Sequence, residues 1–123
     1  MPATTPSPRF TSYFYRTEAE NEPVKDAFLA LSKEDRRIIG KDLEKVKLGG
    51  PEIGKPTIGH LGDGLHEIRS TIGAGKVEFR TLFRVVGNIL LLLHAFKKTT
   101  QKTPQHEIDV ANDRWRKAKG KQP

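Results

Sequence analysis

The fold is decided by residues 77–86, which read Val-Glu-Phe-Arg-Thr-Leu-Phe-Arg-Val-Val and are followed by a Gly-Asn pair and an apolar run. In this stretch Phe79 and Phe83 fall on one side of an extended chain, whereas Arg80 and Arg84 fall on the other. Side chains of a strand alternate between the two faces of a sheet. The pattern therefore predicts a strand with one core face and one cationic face.

The dipeptide Gly87-Asn88 separates this strand from the next run of β-forming residues. A two-residue loop of this kind favours a tight antiparallel hairpin, because its positive φ angles match the twist of the strands. The turn predicts that Val86 lies opposite Ile89. Counting outward gives two further expected pairs, Arg80 with Ala95 and Glu78 with Lys97.

The strand after the turn, residues 88–96, is apolar on both faces, which predicts a central position covered from both sides. Residues 64–70 alternate as well and form the strand before residues 77–86. This alternation places Glu67 and Arg69 on one face. The expected site is a cationic row on the sheet, with a small residue, Ala95, beside Arg80 to leave room for a ligand.

The rest of the chain supplies one more strand and three helices. Residues 9–16 have strand propensity, Pro23 suits the start of a helix, and Ser32 is typical of the N-cap of a second helix that Gly49-Gly50-Pro51 ends. Thr103 and Pro104 predict the start of a C-terminal helix. Its apolar stripe is Ile108, Ala111, Trp115 and Ala118.

The predicted fold is α+β, a twisted and mainly antiparallel four-stranded sheet in the order β-α-α-β-β-β-α. The helical hairpin is expected to cover the face that carries Phe79, Phe83, Leu90, Leu92 and Phe96. The C-terminal helix is expected on the other face, docked through Trp115 over Ile89, Leu91 and Leu93 and leaving the Arg80 end open.

The composition indicates a single domain over residues 1–123, with residues 1–8 and 119–123 expected to be flexible. There is no cysteine, and the longest apolar run is too short to cross a bilayer, so a cytoplasmic location without membrane contact is expected. The net charge is +7, and residues 69–123 carry 12 Lys and Arg against 4 Asp and Glu. This excess favours a polyanion partner. A solvated basic surface without a specific partner is the alternative.

Known cofactor and metal motifs are missing from the sequence. The glycines of residues 50–64 fit neither a phosphate-binding loop nor a dinucleotide-binding fingerprint, and residues 51–63 are predicted to be a loop. The four histidines show no paired metal-ligand spacing. We therefore expect neither a metal site nor a cofactor.

Four local strings resemble the RelE/ParE toxin superfamily, and within it the HigB-like, phage-derived Gp49-like branch. They are Gly-Leu-His-Glu-Ile-Arg at 64–69, Phe-Arg-Thr-Leu-Phe at 79–83, Leu-His-Ala-Phe-Lys-Lys at 93–98 and Thr-Pro-Gln-His-Glu-Ile at 103–108. The resemblance covers residues 10–117, and its most specific part is the Phe-Lys-Lys end of the last strand with the following Lys-Thr-Pro.

The resemblance implies the toxin of a toxin–antitoxin pair. Its activity would be ribosome-dependent cleavage of mRNA without a metal, and its partners would be mRNA on the ribosome and a helix-turn-helix antitoxin. Arg69, Arg80 and Lys98 match basic positions that such toxins use around the scissile phosphate. Further basic residues expected to contact RNA are Lys55, His60, Arg84, Lys97 and Lys102.

The sequence departs from the superfamily at two catalytic positions. Thr57 follows Gly54-Lys55-Pro56 where some members have a glutamate base, and Pro104 stands near the place of a tyrosine. Glu67 is the first candidate for the base, with His60 and Lys98 as others. The pairing register favours Lys97 on the Arg80 face and the motif favours Lys98, which a bulge near the strand end would reconcile. The alternative function is a non-catalytic binder, either a ParE-like inhibitor or a basic RNA- or ribosome-binding module.

Overall fold

The structure is a computed structural model that describes residues 7–119, and its centre is a five-stranded sheet in the order β1-β5-β4-β3-β2. β1 pairs in parallel with β5, and the other neighbours are antiparallel. The elements are β1 (Thr11–Phe14), α1 (Pro23–Leu29), α2 (Lys33–Gly49), β2 (Ile58–Gly62), β3 (Leu65–Ile72), β4 (Val77–Val86), β5 (Ile89–Lys98) and α3 (Gln105–Lys119). The α+β class is confirmed, and so is the central position of β5.

The prediction of four strands was wrong, because part of the expected loop at residues 51–63 forms β2. A short 3₁₀ turn, Pro51–Ile53, precedes it, and β2 then pairs with β3 through Ile58 opposite Ile68 and His60 opposite His66. Two of the five residues of β2 are glycines, so no alternation marks the segment as a strand. The pairing gives β3 a hydrogen-bonding partner on the side away from β4 and makes β2 the edge.

The hairpin of β4 and β5 has the predicted turn but a different register beyond its middle. Val86 lies opposite Ile89 as predicted, and Gly87 has a φ of 62°. Leu93 then has no partner on β4, because Phe83 pairs with Leu92 and Leu82 with His94. Such an extra residue is a β-bulge, which exchanges the faces of all residues that follow it.

The bulge corrects two predicted pairs. Arg80 lies opposite Phe96 rather than Ala95, and Glu78 lies opposite Lys98 rather than Lys97. Lys98 therefore shares the Arg80 face, and the small residue expected beside Arg80 points to the other face of the sheet. Because this strand is apolar on both faces, its sequence pattern does not show where the residues change from one face to the other.

The helical hairpin of α1 and α2 covers the predicted face, with one exception. Val24 of α1 and Val46 of α2 are buried against it, as is Ile39 of α2. Of the side chains assigned to this face, four are buried there, Phe79, Phe83, Leu90 and Leu92. Phe96 instead packs on the opposite face, and Ala95 takes its place under the hairpin, because the bulge precedes both.

α3 covers part of the second face through the predicted stripe. Ala111, Ile108, Trp115 and Ala118 pack with Leu91 and Leu93, whereas Ile89 is not part of this cluster. Arg114 of α3 also donates from Nη1 to the carbonyl oxygen of Leu93 at 2.8 Å. The sheet face is therefore closed by α3 at the Leu91 end.

The ends of the helices agree with the sequence in part. The hydroxyl of Ser32 accepts a hydrogen bond from the backbone N–H of Asp35, so Ser32 is the predicted N-cap of α2. α3 begins at Gln105, one residue after Pro104, and the hydroxyl of Thr103 donates to the carboxylate of Glu67. The expectation of flexible ends concerns residues 1–8 and 119–123, of which 1–6 and 120–123 lie outside the described residues.

The contact between β5 and α3 predicts a loss of stability in acid. Burial lowers the pKa of His94, against the opposing hydrogen bond from its Nε2 to Glu107 at 2.7 Å. The unfolded chain therefore binds this proton more readily, so the contribution is present above the ordinary value of 6.5 and is lost as pH falls below it. The free energy of unfolding should fall less between about pH 7 and pH 5 in His94→Gln than in the wild type.

Chemical denaturation at the two pH values measures this difference. His106→Gln is the comparison variant, because His106 is an exposed histidine of α3 that lies 3.8 Å from the same carboxylate, that of Glu107. The pKa of His66 is also lowered, mainly by burial, so His94→Gln should keep part of the acid sensitivity. An equal loss of stability in His94→Gln and the wild type would show that His94 does not cause it.

Candidate active site

The carboxylate of Glu67 on β3 is the centre of a buried polar cluster. The Glu67 residue is 3% exposed. Its Oε2 accepts a hydrogen bond from Arg69 Nε at 3.0 Å, and its Oε1 accepts one from the hydroxyl of Thr103. Glu67 and Arg69 share a face, as the alternation of β3 predicts, and Thr103 connects this face to the segment that leads into α3.

Arg80 on β4 lies beside this carboxylate and is itself buried. The Arg80 residue is 6% exposed, and its Nε lies 3.9 Å from Glu67 Oε1. Its Nη1 donates to Glu78 Oε1 at 3.1 Å and to the carbonyl oxygen of Phe79 at 3.2 Å. Among the described residues, Arg80 Nε has no hydrogen-bond partner. The Nε atom is itself buried, so its missing partner is a cost to stability rather than an open binding position.

Arg80 is on the face away from the helical hairpin, as predicted, and Phe79 is buried on the hairpin face. Glu78 neutralises part of the charge of Arg80. Burial alone would raise the pKa of the Glu78 carboxyl, but hydrogen bonds from Arg80 and Thr71 outweigh it and hold that pKa below its ordinary value. Glu78 therefore carries its charge at neutral pH.

Lys98, at the end of β5, completes the cationic side of the cluster. Its ammonium group donates to the carbonyl oxygens of Thr100 and Gln101, the latter at 2.8 Å. A cleft of about 460 Å³ lies between these elements. Its polar lining includes Glu67, Arg69, Arg80, Lys98, Lys102 and Thr103.

β2 contributes to the site through Gly59, which lies opposite Glu67. A Cβ atom at Gly59 would lie 2.6 Å from Arg69 Nη2 and 2.7 Å from Glu67 Oε2. Both distances are far below van der Waals contact, so any side chain there would displace the Arg69–Glu67 pair. The glycine lets β2 pack directly under the two charged groups.

Three of the five residues predicted to contact RNA lie away from this cleft. Arg84 stacks over the ring of Trp115 at 5.2 Å and donates to Asn112 Oδ1 at 3.4 Å, so it holds α3 to the sheet. Lys55 is exposed before β2, and the bulge places Lys97 on the face of the sheet opposite to Arg80. Lys102 lines the cleft as predicted.

His60 borders the cleft, but its ring is directed elsewhere. Its Nδ1 lies 2.8 Å from Nδ1 of His66, which packs against Phe83 on the hairpin face. Burial lowers the pKa of His66, and the neighbouring His60 and Arg84 add to this effect. This pair of histidines could not be predicted, because the strand that carries His60 was predicted as a loop.

The sequence also missed the roles of Thr103 and Gly59. Thr103 was predicted as a helix cap, and nothing local in the sequence indicates its contact with Glu67. Gly59 could have been found only if β2 had been predicted. Within residues 7–119, no group of three or more His, Cys, Asp or Glu is placed to hold a metal ion. In the same part of the chain, no helix is long and apolar enough to cross a membrane.

A cleft that joins four cationic side chains to one carboxylate can bind a phosphodiester and exchange a proton with it. The resemblance to the RelE/ParE toxin superfamily implies a site of this kind. The chain matches the family model described as phage-derived protein Gp49-like (DUF891) over residues 26–116, which is more than half of its length. The protein therefore belongs to the Gp49-like family, in the HigB-like branch of these toxins.

This family is associated with toxin–antitoxin modules, so an antitoxin is the expected type of partner. Comparison with individual curated proteins finds no match.

Proposed function

We propose that the protein is a ribosome-dependent endoribonuclease that cleaves mRNA. The proposal depends on one observation above all, namely that Arg69, Arg80, Lys98 and Glu67 line a single cleft. These four residues come from three adjacent strands, so their relative positions are fixed by the sheet rather than by a loop. Membership of a family associated with toxin–antitoxin modules supports the same function.

The reaction is the attack of a ribose 2′-oxygen on the adjacent phosphorus. A base takes the proton of the 2′-hydroxyl, the new P–O bond forms a 2′,3′-cyclic phosphate, and the bond to the 5′-oxygen breaks. An acid gives a proton to that leaving oxygen. Negative charge accumulates on the non-bridging phosphate oxygens, where Arg69, Arg80 and Lys98 would stabilise it.

Glu67 is the proposed base. Each of its carboxylate oxygens already accepts one hydrogen bond, from Arg69 or from Thr103, and each has a second lone pair. These two donors fix the orientation of the carboxylate. Arg80, whose Nε lies 3.9 Å from Glu67 Oε1, would place its charge beside the phosphate.

Lys98 is the proposed acid. Its ammonium group is the cation at the other side of the cleft, held by the carbonyl oxygens of Thr100 and Gln101. Those two acceptors use two of its three N–H donors, so one remains for the leaving oxygen. Lys102 would bind the RNA backbone nearby.

The proposed partners are mRNA in the ribosome and a helix-turn-helix antitoxin. An antitoxin could neutralise the enzyme by covering the cationic cleft or by moving α3, because Thr103 links the start of α3 to Glu67. Either action would exclude a phosphate from the cleft. A cytoplasmic location follows from these partners.

Primer extension on cellular messages after brief induction tests the function. Discrete cleavage sites are expected, and they should disappear from a message whose start codon has been removed, because the reaction requires translation. If a helix-turn-helix protein is encoded beside this one, its co-expression should restore growth. Intact messages in growth-arrested cells would contradict the proposal.

That last outcome would favour a non-catalytic binder, for which there is one specific observation. Lys98 and both oxygens of Glu67 are already engaged by groups of the protein, as in a structural polar network. The same scaffold could then inhibit a protein target or bind structured RNA through its surface alone.

A further inference from the structure

A second and larger groove begins where the cleft ends. It has a volume of about 840 Å³ and lies between the turn from β3 to β4 and the segment that follows β5. Arg80, Lys98 and Gln101 line both the groove and the cleft. A chain bound in the cleft could therefore continue into the groove past Arg80.

The groove is cationic, and two of its lysines lack a counter-charge. Lys76 and Lys97 are exposed and line it. Neither makes an ion pair or a side-chain hydrogen bond with any residue in the described part of the chain. On α2, by contrast, Lys45 pairs with Asp42 and Lys47 pairs with Glu44.

The acidic residue of the groove does not cancel this charge. Glu78 is hydrogen-bonded to Arg80 and to Thr71, each at 3.1 Å, so its carboxylate is already compensated. No aromatic side chain lines the groove within residues 7–119. Without a stacking platform for bases, its recognition would be directed to phosphates and would be independent of sequence.

We propose that this groove binds the phosphate backbone of the RNA strand that flanks the cleavage point, with Lys76 and Lys97 as its phosphate contacts. The inference rests on the proposed function for the position of the strand in the cleft. The bulge at Leu93 makes the arrangement possible, because it directs Lys98 toward the cleft face and leaves Lys97 for the other side of the groove.

Binding of a short single-stranded 2′-O-methyl oligoribonucleotide, measured by fluorescence anisotropy, tests the groove without cleavage. The double variant Lys76→Ala/Lys97→Ala should bind about tenfold more weakly at low salt. The slope of log K against log salt should become shallower by about 1.4, which is two phosphate contacts at about 0.7 each for a single strand. Oligonucleotides of different base composition should lose affinity equally.

Lys33→Ala/Lys41→Ala is the matched control, because it removes the same charge from two exposed positions of α2. This control should bind within about twofold of the wild type, and thermal melting should show both double variants to be folded. Unchanged binding by Lys76→Ala/Lys97→Ala, equal loss in the control, or no binding by the wild type would overturn the inference. Unchanged oligonucleotide binding would also be the result if the groove served an acidic protein segment.

The binding assay and the message-cleavage assay test the two proposals separately, so either proposal can be contradicted while the other stands. If the wild type leaves messages intact but the groove variant still loses oligonucleotide affinity, the proposed function is wrong and the phosphate site stands. If messages are cleaved and the groove variant binds normally, the function stands and the groove is not the path of the strand.

Discussion

Arg80→Ala is expected to reduce message cleavage on the order of a hundredfold or more. The guanidinium group is buried beside Glu67 and lines the cleft, where its planar fork suits the binding of two phosphate oxygens. Alanine removes this charge contact from the transition state. The rate should be measured by primer extension and by growth arrest after equal expression.

Two further variants separate this effect from loss of folding. Arg80→Ala also removes buried hydrogen bonds to Glu78 and to the Phe79 carbonyl, which should cost about 1–3 kcal/mol of stability. Arg80→Lys keeps the charge and should not restore activity fully, because an ammonium group cannot form the two-pronged contact. Arg69→Ala, at a side chain that is 38% exposed, should lower the rate, and it should also cost about 1–3 kcal/mol of stability because it removes a donor to the buried Glu67 carboxylate.

Arg116→Ala is the control, because Arg116 is an exposed arginine of α3 that pairs with Asp113. Its toxicity should equal that of the wild type. If Arg80→Lys and Arg69→Ala were folded and as toxic as the wild type, the active site proposed here would be wrong.

Glu67→Gln is expected to lower cleavage by about 10²–10⁴-fold, the usual contribution of a general base. Glutamine has nearly the same shape, but it cannot accept the 2′-hydroxyl proton. It also removes the only carboxylate that lies against both Arg69 and Arg80 among the described residues. Single-turnover cleavage on programmed ribosomes measures the chemical step directly.

Two comparisons determine whether Glu67 acts as the base or only orients its neighbours. Thr103→Val removes one hydrogen bond to the carboxylate and keeps the charge, so it should cost about tenfold or less in rate if Glu67 is the base. Glu34→Gln, on the exposed face of α2, is the control for loss of an acidic partner of an arginine. A Glu67→Gln protein that cleaves as fast as the wild type would rule out Glu67.

The strand that sequence predicted best is the one along which apolar and charged side chains alternate. β4 was predicted at its observed bounds, because Phe79 and Phe83 lie on one face of the strand and Arg80 and Arg84 lie on the other. The turn at Gly87 and the pair Val86–Ile89 followed from local backbone preferences. The hairpin of helices followed from apolar stripes that had to be buried.

The part that sequence could not predict depends on contacts that leave no pattern in the residue types. β2 has no alternation of its own and is a strand because the neighbouring β3 offers it a partner. The ring of His60 meets that of His66 only because β2 and β3 pair, and Thr103 reaches Glu67 across 36 positions of the chain. Such contacts exist only once the sheet has formed.

Among the predicted site residues, those marked by alternation were placed correctly, whereas those whose place depends on strand register could not be placed from the pattern alone. Alternation assigned Glu67 and Arg69 to one face of β3 and Arg80 to the cationic face of β4, and the three side chains lie together. Lys98 joined them only through its motif, because the counted register gave Lys97. Arg84 was placed on the right face but at the wrong end, where it packs against Trp115.

The extra residue at Leu93 divides β5 into two halves. The face of the sheet on which odd-numbered residues lie differs between them. The half before it specifies packing against the helices, and the half after it specifies which lysine enters the cleft. An alignment of this protein with a relative is therefore reliable at the lysine pair only if both chains carry the insertion at the same place. A gap shifted by a single position would exchange a cleft residue for a groove residue and would transfer the wrong role.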